Sequence, residues 1–528
     1  MEVRLRTRGF VYWRVATPAD VQERCRWRAG ALVRVERRAG LALRVWEPRS
    51  SRTRRPPKRR RGAGERGRGV RSGRMALLYR ATRLKDRADT HVFTFVVTRS
   101  ATREPDRDVT SKDFCCAHQR WAVAFSRTDA SLGVYLVWRG ACDGMRVYVD
   151  FTFTLLSRDH FTANEGFSGK QVRFSAGCAA QGRGRCVSIA ELNTKFADAR
   201  GEFQLELSMS RVRTLYSCEL RAPRLDTPPI AFAGFDWQVS ATGGGGKEPL
   251  TLRLVRLSGE GQRCRVRYAL ALGEGERRLH SGPLECVCDA DGRTPPWSPR
   301  PPSRLLTKGV RLTVELVWAR AIAELAVPAA GRAATCYDRD KQAWAVRCDM
   351  HSDMVRLHML YRDVHHVPRN HLRYVSWSAW LVRTTAAAGE SDAEELPGAP
   401  FEHYYAQDSA DEGLMMETAL RVEDMSRPGS AFLHPGGELR VRLEWGDTYL
   451  LFQATYHVYD DLCRLHAHQM RREIAVLQAE NYSLERQLFS YQKSLAYAQA
   501  QAGEPAAAEP GGRRSPAERS LSTDTEYA

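Results

Sequence analysis

Between His91 and Gly446 apolar residues repeatedly fall on every second position. Val147, Val149, Phe151, Phe153 and Leu155 are separated by Tyr148, Asp150, Thr152 and Thr154. Phe203, Leu205, Leu207 and Met209 alternate with polar residues in the same way, as do Leu439, Val441, Leu443 and Trp445. Val310, Leu312, Val314, Leu316 and Trp318 repeat the pattern. Successive side chains of a strand point to opposite faces, so a period of two predicts strands with one face buried. Helical periodicity is scarce before residue 456. The expected class is mainly β, built as tandem antiparallel β-sandwich modules and followed by a long helix.

The strands recur in a fixed order. Trp121-Ala122-Val123, Trp237-Gln238-Val239 and Trp344-Ala345-Val346 each precede an apolar strand, at 132–139, 250–257 and 354–362. A second strand starts 26, 27 and 28 residues after the tryptophan, at Val147, Cys264 and Leu372. Each unit closes on a Gly-led alternating segment, at 201–212, 309–320 and 437–446. Three units sharing one order and nearly one spacing imply an internal repeat. The expected division is a leader (1–74), three sandwiches (75–220, 221–325, 326–455), a coiled coil (456–502) and a tail (503–528). Residues 273–302 and 386–417 read as long inserts in the second and third units.

The first unit, over roughly residues 88–214, resembles a meprin-and-TRAF-homology (MATH) domain. The likeness rests on Ser111-x-x-Phe114, then Trp121-x-Val123, then Leu132-x-Val-Tyr-Leu-x-Trp138, then Val147-x-Val-Asp-Phe-Thr-Phe-Thr-Leu-Leu156, then the closing strand. The other two units are degenerate versions. The resemblance implies an antiparallel sandwich of seven or eight strands that binds short peptides. It places Tyr135, Phe151 and Val172 on groove-lining positions, although for Phe151 core packing competes with that role. The tryptophan-bearing groove segment of the family is absent from 177–187. The RING, BTB or protease domain of ubiquitin-handling members is also absent, so a ubiquitin role would be indirect.

From Cys463 to Ala498 the period changes to seven, with no Pro or Gly. Position a holds Ala467, Ile474, Asn481, Leu488 and Leu495; position d holds Cys463, Met470, Leu477, Leu484, Tyr491 and Ala498. The other faces are polar, which predicts a coiled coil. The oligomerisation seam is therefore Met470, Ile474, Leu477, Asn481, Leu484, Leu488, Tyr491 and Leu495. A buried amide at a is satisfied when it meets its own copy in a parallel pair, and Ile at a with Leu at d favours two strands. A homodimer or homotrimer is expected. Glu480 at g facing Glu485 at e of a second copy leaves a heterotypic partner open.

Net charge is +19, but residues 1–74 hold 22 Arg and one Lys against six acidic residues. That leaves +2 for the other 454. The leader, with 54-RRPPKRRR-61, reads as disordered, an import signal, or an extension upstream of the true start at Met75. Nucleic acid is not an expected partner, because the folded part lacks a basic excess. No apolar run reaches the ~18 residues of a membrane span, and no secretory signal opens the chain. The thirteen cysteines are mostly scattered and read as reduced thiols. A cytoplasmic protein is expected, with the nucleus as alternative.

Chemistry-bearing motifs do not assemble. Gly243–Gly246 with Lys247 lacks the leading Gly and the final Ser or Thr of a phosphate loop. His351, His358, His365, His366 and His371, and Cys286-x-Cys288 near His280, lack the convergent spacing of a metal site. No catalytic residue, cofactor or metal is expected. The expected function is a non-enzymatic adaptor that binds partner proteins or peptides through the sandwiches and multiplies them through the coil. A purely structural scaffold is the alternative, and a nuclear protein using the Arg-rich leader is a weaker one.

Overall fold

The computed structural model describes residues 76–502, apart from 85–89, 104–108, 222–225, 244–248, 260–261, 289–290, 300–308, 330, 384–392, 410–412, 428 and 454–457. The leader, the tail and most of the 243–247 loop lie outside the described residues. The described chain is mainly β, in antiparallel sheets, and divides between Tyr459 and Asp460 into two units.

A hairpin of β1 (Ala76–Leu84) and β2 (Thr90–Val97) precedes the first repeat. That repeat contains β3 (Val109–Thr110), β4 (Phe114–Cys116), β5 (Gln119–Arg127), β6 (Ser131–Trp138), β7 (Met145–Leu155), β8 (Glu165–Ser175), β9 (Ala180–Ser188) and β10 (Phe203–Leu220). The second contains β11 (Ile230–Phe232), β12 (Phe235–Thr242), β13 (Thr251–Arg256), β14 (Arg263–Leu272), β15 (Leu279–Cys288) and β16 (Val310–Pro328). The third contains β17 (Ala334–Tyr337), β18 (Ala343–Asp349), β19 (Met354–Tyr361), β20 (His371–Val382), β21 (Ala393–Glu395), β22 (Phe401–Tyr405), β23 (Leu414–Arg421) and β24 (Glu438–Phe452). Each repeat has its own small sheet: β3-β5-β6-β9 with β4 on β5, then β11-β12-β13, then β17-β18-β19-β23.

The opposing layer is shared. One twelve-stranded sheet follows the path β1-β2-β10-β16-β24-β20-β21, with β7, β8, β14, β15 and β22 alongside. Its members β10, β16 and β24 are 18, 19 and 15 residues long, and at ~3.3 Å per residue the first two span about 60 Å. Each pairs along one edge with a strand of its own repeat: β10 with β7, β16 with β14, β24 with β20. The other edge changes partner halfway. On β10, Phe203–Met209 pairs with β2 and Thr214–Leu220 with β16; on β16, Ile322–Pro328 pairs with β24.

Each change of partner coincides with a bulge. The extra residues are at 211–212 in β10, 317 in β16 and 446–447 in β24. A bulge adds a residue to one strand, bends it and increases its twist, which turns each long strand from one repeat into the next. The first half of β10 and the second half of β24 would be joined if the pattern were repeated once more. The β1–β2 hairpin stands there instead: β2 pairs with β10, β1 lies against β24, and the Phe93 and Tyr449 rings are 5.7 Å apart. The three repeats thus form a closed circuit within one unit.

The alternation explains the packing. Val147, Val149, Phe153, Leu205, Leu207, Val314 and Leu443 are fully buried between the layers. Trp121, Trp237 and Trp344 are also fully buried, and each indole N–H is satisfied just upstream. Trp121 donates to the Cys116 carbonyl (3.2 Å), Trp237 to the Phe232 carbonyl (3.1 Å) and Trp344 to Asp338 Oδ2 (3.1 Å). Segments 273–302 and 386–417, expected as inserts, instead carry β15, and β21, β22 and the start of β23. Gly282 and Pro283 in β15 and the polar Phe401-Glu-His-Tyr-Tyr405 of β22 mask the period-two signal.

The helix α1 (Val458–Ala502) has 45 residues, about 68 Å at ~1.5 Å per residue. Met470, Ile474, Leu477, Leu484, Leu488, Tyr491 and Leu495 are all exposed on it.

Candidate functional site

Strand β6 combines a buried face with one outward ring. Val134, Leu136 and Trp138 are buried, whereas Tyr135 between them is half-buried on the opposite face. Trp138 Nε1 donates to Gln119 Oε1 at 2.8 Å, which fixes it as core. Tyr135 stands opposite Gly182 of β9. A Cβ on Gly182 would lie 2.1 Å from the Val134 carbonyl oxygen and 2.9 Å from Tyr135 Cδ1, and one on Gly184 would lie 3.0 Å from Tyr135 Oη. The Tyr135 ring therefore lies across two glycines, of which Gly182 leaves no room for a Cβ against the Val134 backbone and Gly184 would take one only if the Tyr135 hydroxyl shifted.

Strand β9 is the last strand of its sheet, and among the described residues nothing pairs with its outer edge. Gly182, Arg183, Gly184 and Arg185 are exposed there. Strand β8 is likewise the outermost strand beyond β7, and Gln181 Nε2 donates to the Arg173 carbonyl at 3.2 Å. Two sheet edges therefore run close together at the open side of the first repeat.

The other two sequence-derived groove positions lie in the large sheet. Phe151 is 4% exposed, with its ring 5.7 Å from Phe153, 6.4 Å from Phe167 and 6.5 Å from Phe174. Val172 of β8 pairs with Val149 and is half-buried. Both flank Gly169, where a Cβ would meet Val172 Cγ2 at 2.5 Å and Phe151 Cε1 at 3.3 Å. Phe151 and Val172 therefore belong together, and Tyr135 belongs to the other layer.

Pairing against the repeat tryptophans aligns the three modules. Trp121 faces Trp138, Trp237 faces Arg256 and Trp344 faces Tyr361. Three residues before those partners stand Tyr135, Arg253 and His358. The counterpart of β9 differs too. In the second repeat, residues 292–297 run beside β13: the Trp297 and Leu252 amides each donate to the other's carbonyl at 2.8 Å, and Arg256 donates to Gly292 at 2.8 Å. That edge contains Pro295 and Pro296, which have no N–H to offer another strand. In the third, β23 pairs with β19 and exposes Met415, while His358 Nε2 lies 3.8 Å from Asp349 Oδ2. Sequence periodicity missed these substitutions because 292–297 is short and interrupted by two prolines, and because β23, although it alternates in burial, places the apolar Met415 and Ala419 on its outward face.

The turns leading into the three tryptophans meet. Ala117 and His118 in the first and Ala233 and Gly234 in the second have positive φ, as a tight two-residue hairpin requires. The Ala233 amide donates to the His118 carbonyl at 3.3 Å, and the His118 and Phe232 rings are 5.6 Å apart. A Cβ on Gly234 would lie 3.8 Å from Arg339 Cδ of the third turn. Burial, aided by the Arg339 charge, pulls the His118 pKa down to about 3.

The twelve described cysteines are free thiols. Burial pushes Cys264 and Cys336 up to about 12 and Cys186 to about 11, the reverse of what an activated nucleophile needs. Among the described residues no three His, Cys, Asp or Glu side chains are grouped to hold a metal, and no helix is long and apolar enough to cross a membrane. No protein-family model matches the sequence, and no curated protein is significantly similar to it.

Proposed function

We propose that the chain is a non-catalytic adaptor whose first repeat, a MATH-like sandwich, captures an extended peptide from a partner protein. The observation that carries this reading is the outer edge of β9, with which nothing pairs among the described residues, and where Gly182 and Gly184 lie beneath the Tyr135 ring. A peptide added as a further strand gains main-chain hydrogen bonds along such an edge, and side-chain pockets supply selectivity. Tyr135 offers a rigid aromatic contact there. Val172 and Phe151 would contribute only where β8 approaches β9.

The helix would multiply the capture site. Met470, Ile474, Leu477, Leu484, Leu488, Tyr491 and Leu495 occupy a and d positions, whereas the equally exposed Leu465, Val476, Tyr482, Phe489 and Tyr497 do not. A parallel coiled coil of two copies would bury the first set and pair Asn481 with Asn481. Joining weak sites in this way raises apparent affinity ~10²–10⁴-fold when the geometry permits. A second reading, a self-assembling scaffold without a groove, draws on the shared twelve-stranded sheet and the buried Phe151.

The test is proximity labelling in cells with wild-type protein and with Tyr135→Ala, followed by amide exchange on purified protein with the captured partner. Partners lost on Tyr135→Ala and slowed exchange at 181–187 on partner addition are expected. Unchanged labelling with no protection of β9 would leave the scaffold as the better account.

A further inference from the structure

In the second repeat the counterpart of the β9 edge, residues 292–297, lacks two backbone donors at Pro295 and Pro296, yet a cleft opens at that place. It has a volume of about 370 Å³, continuous with solvent, and is lined by Arg253, Val287, Asp291, Arg293 and the Thr294-Pro295-Pro296 segment. Arg253 takes the place that Tyr135 has in the first repeat, and Arg293 lies on the counterpart of β9.

The chemistry differs from that of the first repeat. Thr294 Oγ1 is committed within the fold, accepting from the Leu254 amide at 3.1 Å and from Tyr268 Oη at 2.8 Å. The prolines remove backbone donors. Two guanidinium groups remain, and neither Arg253 nor Arg293 has an ion-pair partner among the described residues. Among the described residues Asp291 is the one carboxylate lining the cleft, so the balance of those residues is positive. Guanidinium forks bind planar or tetrahedral oxyanions through paired N–H donors.

We infer that this cleft is a second peptide-binding site, selective for segments bearing anionic side chains, carboxylate or phosphate, held by Arg253 and Arg293 rather than by strand addition. A peptide fits better than a small anion, because the cleft is open along the edge where the first repeat exposes β9. The site is independent of Tyr135, so the chain would present two recognition modes of different chemistry.

The test uses the full chain and fluorescein-labelled twelve-residue peptides at near-physiological salt, read by anisotropy. One peptide carries four glutamates, one carries two phosphoserines, and a control carries four glutamines. At least one anionic peptide should bind, weakened tenfold or more by Arg253→Gln with Arg293→Gln and unchanged by Tyr135→Ala. The tighter of the two identifies carboxylate or phosphate as the preferred group. Asp291→Asn should tighten binding several-fold, a gain that a misfolded protein cannot produce. Failure of both anionic peptides to bind, equal binding of the glutamine control, or undiminished binding by the double arginine variant would overturn the inference. The last outcome would assign the affinity to arginines elsewhere, such as those of residues 1–74. Loss on Tyr135→Ala, or no gain with Asp291→Asn, would also overturn it.

Discussion

Ser111 and Val123 hold each other through two hydrogen bonds across twelve residues. The Ser111 amide donates to the Val123 carbonyl at 2.8 Å, and the Val123 amide donates to Ser111 Oγ at 3.0 Å. Thr227 and Val239 repeat both bonds at the same separation, at 3.0 and 2.9 Å. In the third repeat Ala334 faces Val346 in an ordinary strand pairing. The hydroxyl replaces a missing stretch of ladder beside the buried tryptophan.

Removing the hydroxyl leaves the buried Val123 amide without its acceptor. Ser111→Ala and Thr227→Val should each lower stability by about 1–3 kcal/mol, read as a shift of the denaturant midpoint with unchanged slope. Ala334→Ser should have little effect, because the ladder already serves Val346. Equal midpoints for all three variants would refute the staple.

His118 should make the fold acid-sensitive. Its folded pKa is about 3 against an ordinary histidine value of 6.5, so between those values the unfolded chain binds a proton that the folded chain does not. Stability is therefore present above about pH 6.5 and falls as pH drops toward 3, by up to about 1.4 kcal/mol per pH unit. His118→Gln should flatten that slope relative to wild type between pH 6.5 and 4. Parallel pH profiles for the two proteins would show that His118 is not buried neutral.

A buried ion pair locks the seam between the second and third repeats. Glu444 is 4% exposed and accepts from Arg265 Nε at 2.9 Å. Arg265→Met strands the carboxylate and should cost about 3–5 kcal/mol, whereas Arg265→Met with Glu444→Gln should recover much of it. A single variant that melts like wild type would mean solvent reaches Glu444.

Tyr135 and Trp121 should separate binding from folding. Trp121→Ala removes a fully buried ring packed edge-on to Phe174 at 5.1 Å, and should destabilise by about 3–5 kcal/mol. Tyr135→Ala should leave the melt nearly unchanged and weaken partner capture about 30-fold, as loss of an aromatic anchor does. Tyr135→Ala protein that melts normally and captures partners normally would sink the proposed groove.

The helix gives an independent test. Leu477→Asp with Leu484→Asp should turn the full chain into a monomer in sedimentation at tens of micromolar. Asn481→Ile should raise the melting temperature of the assembly while broadening its oligomer distribution. An aspartate variant with the same mass distribution as wild type would place the assembly contact elsewhere.

Sequence alone determined the mainly β class, the three tryptophan-marked repeats and a long C-terminal helix. Each of these follows from a local period, two for Val147–Leu155 and seven for Cys463–Ala498, because a repeating side-chain direction is a property of the backbone itself. The inward direction of Trp138 and the outward direction of Tyr135 were legible for the same reason. Tertiary structure decided what period cannot encode. The bulges at 211–212, 317 and 446–447 send each long strand into the next repeat, so units divided in sequence at 220 and 325 share one sheet. The burial of Phe151 depends on Phe167 and Phe174 arriving from β8. The contrast of Tyr135, Arg253 and His358 appears only when strand register aligns the repeats. Pairing partners distant along the chain set these features, and no window of local sequence contains both partners.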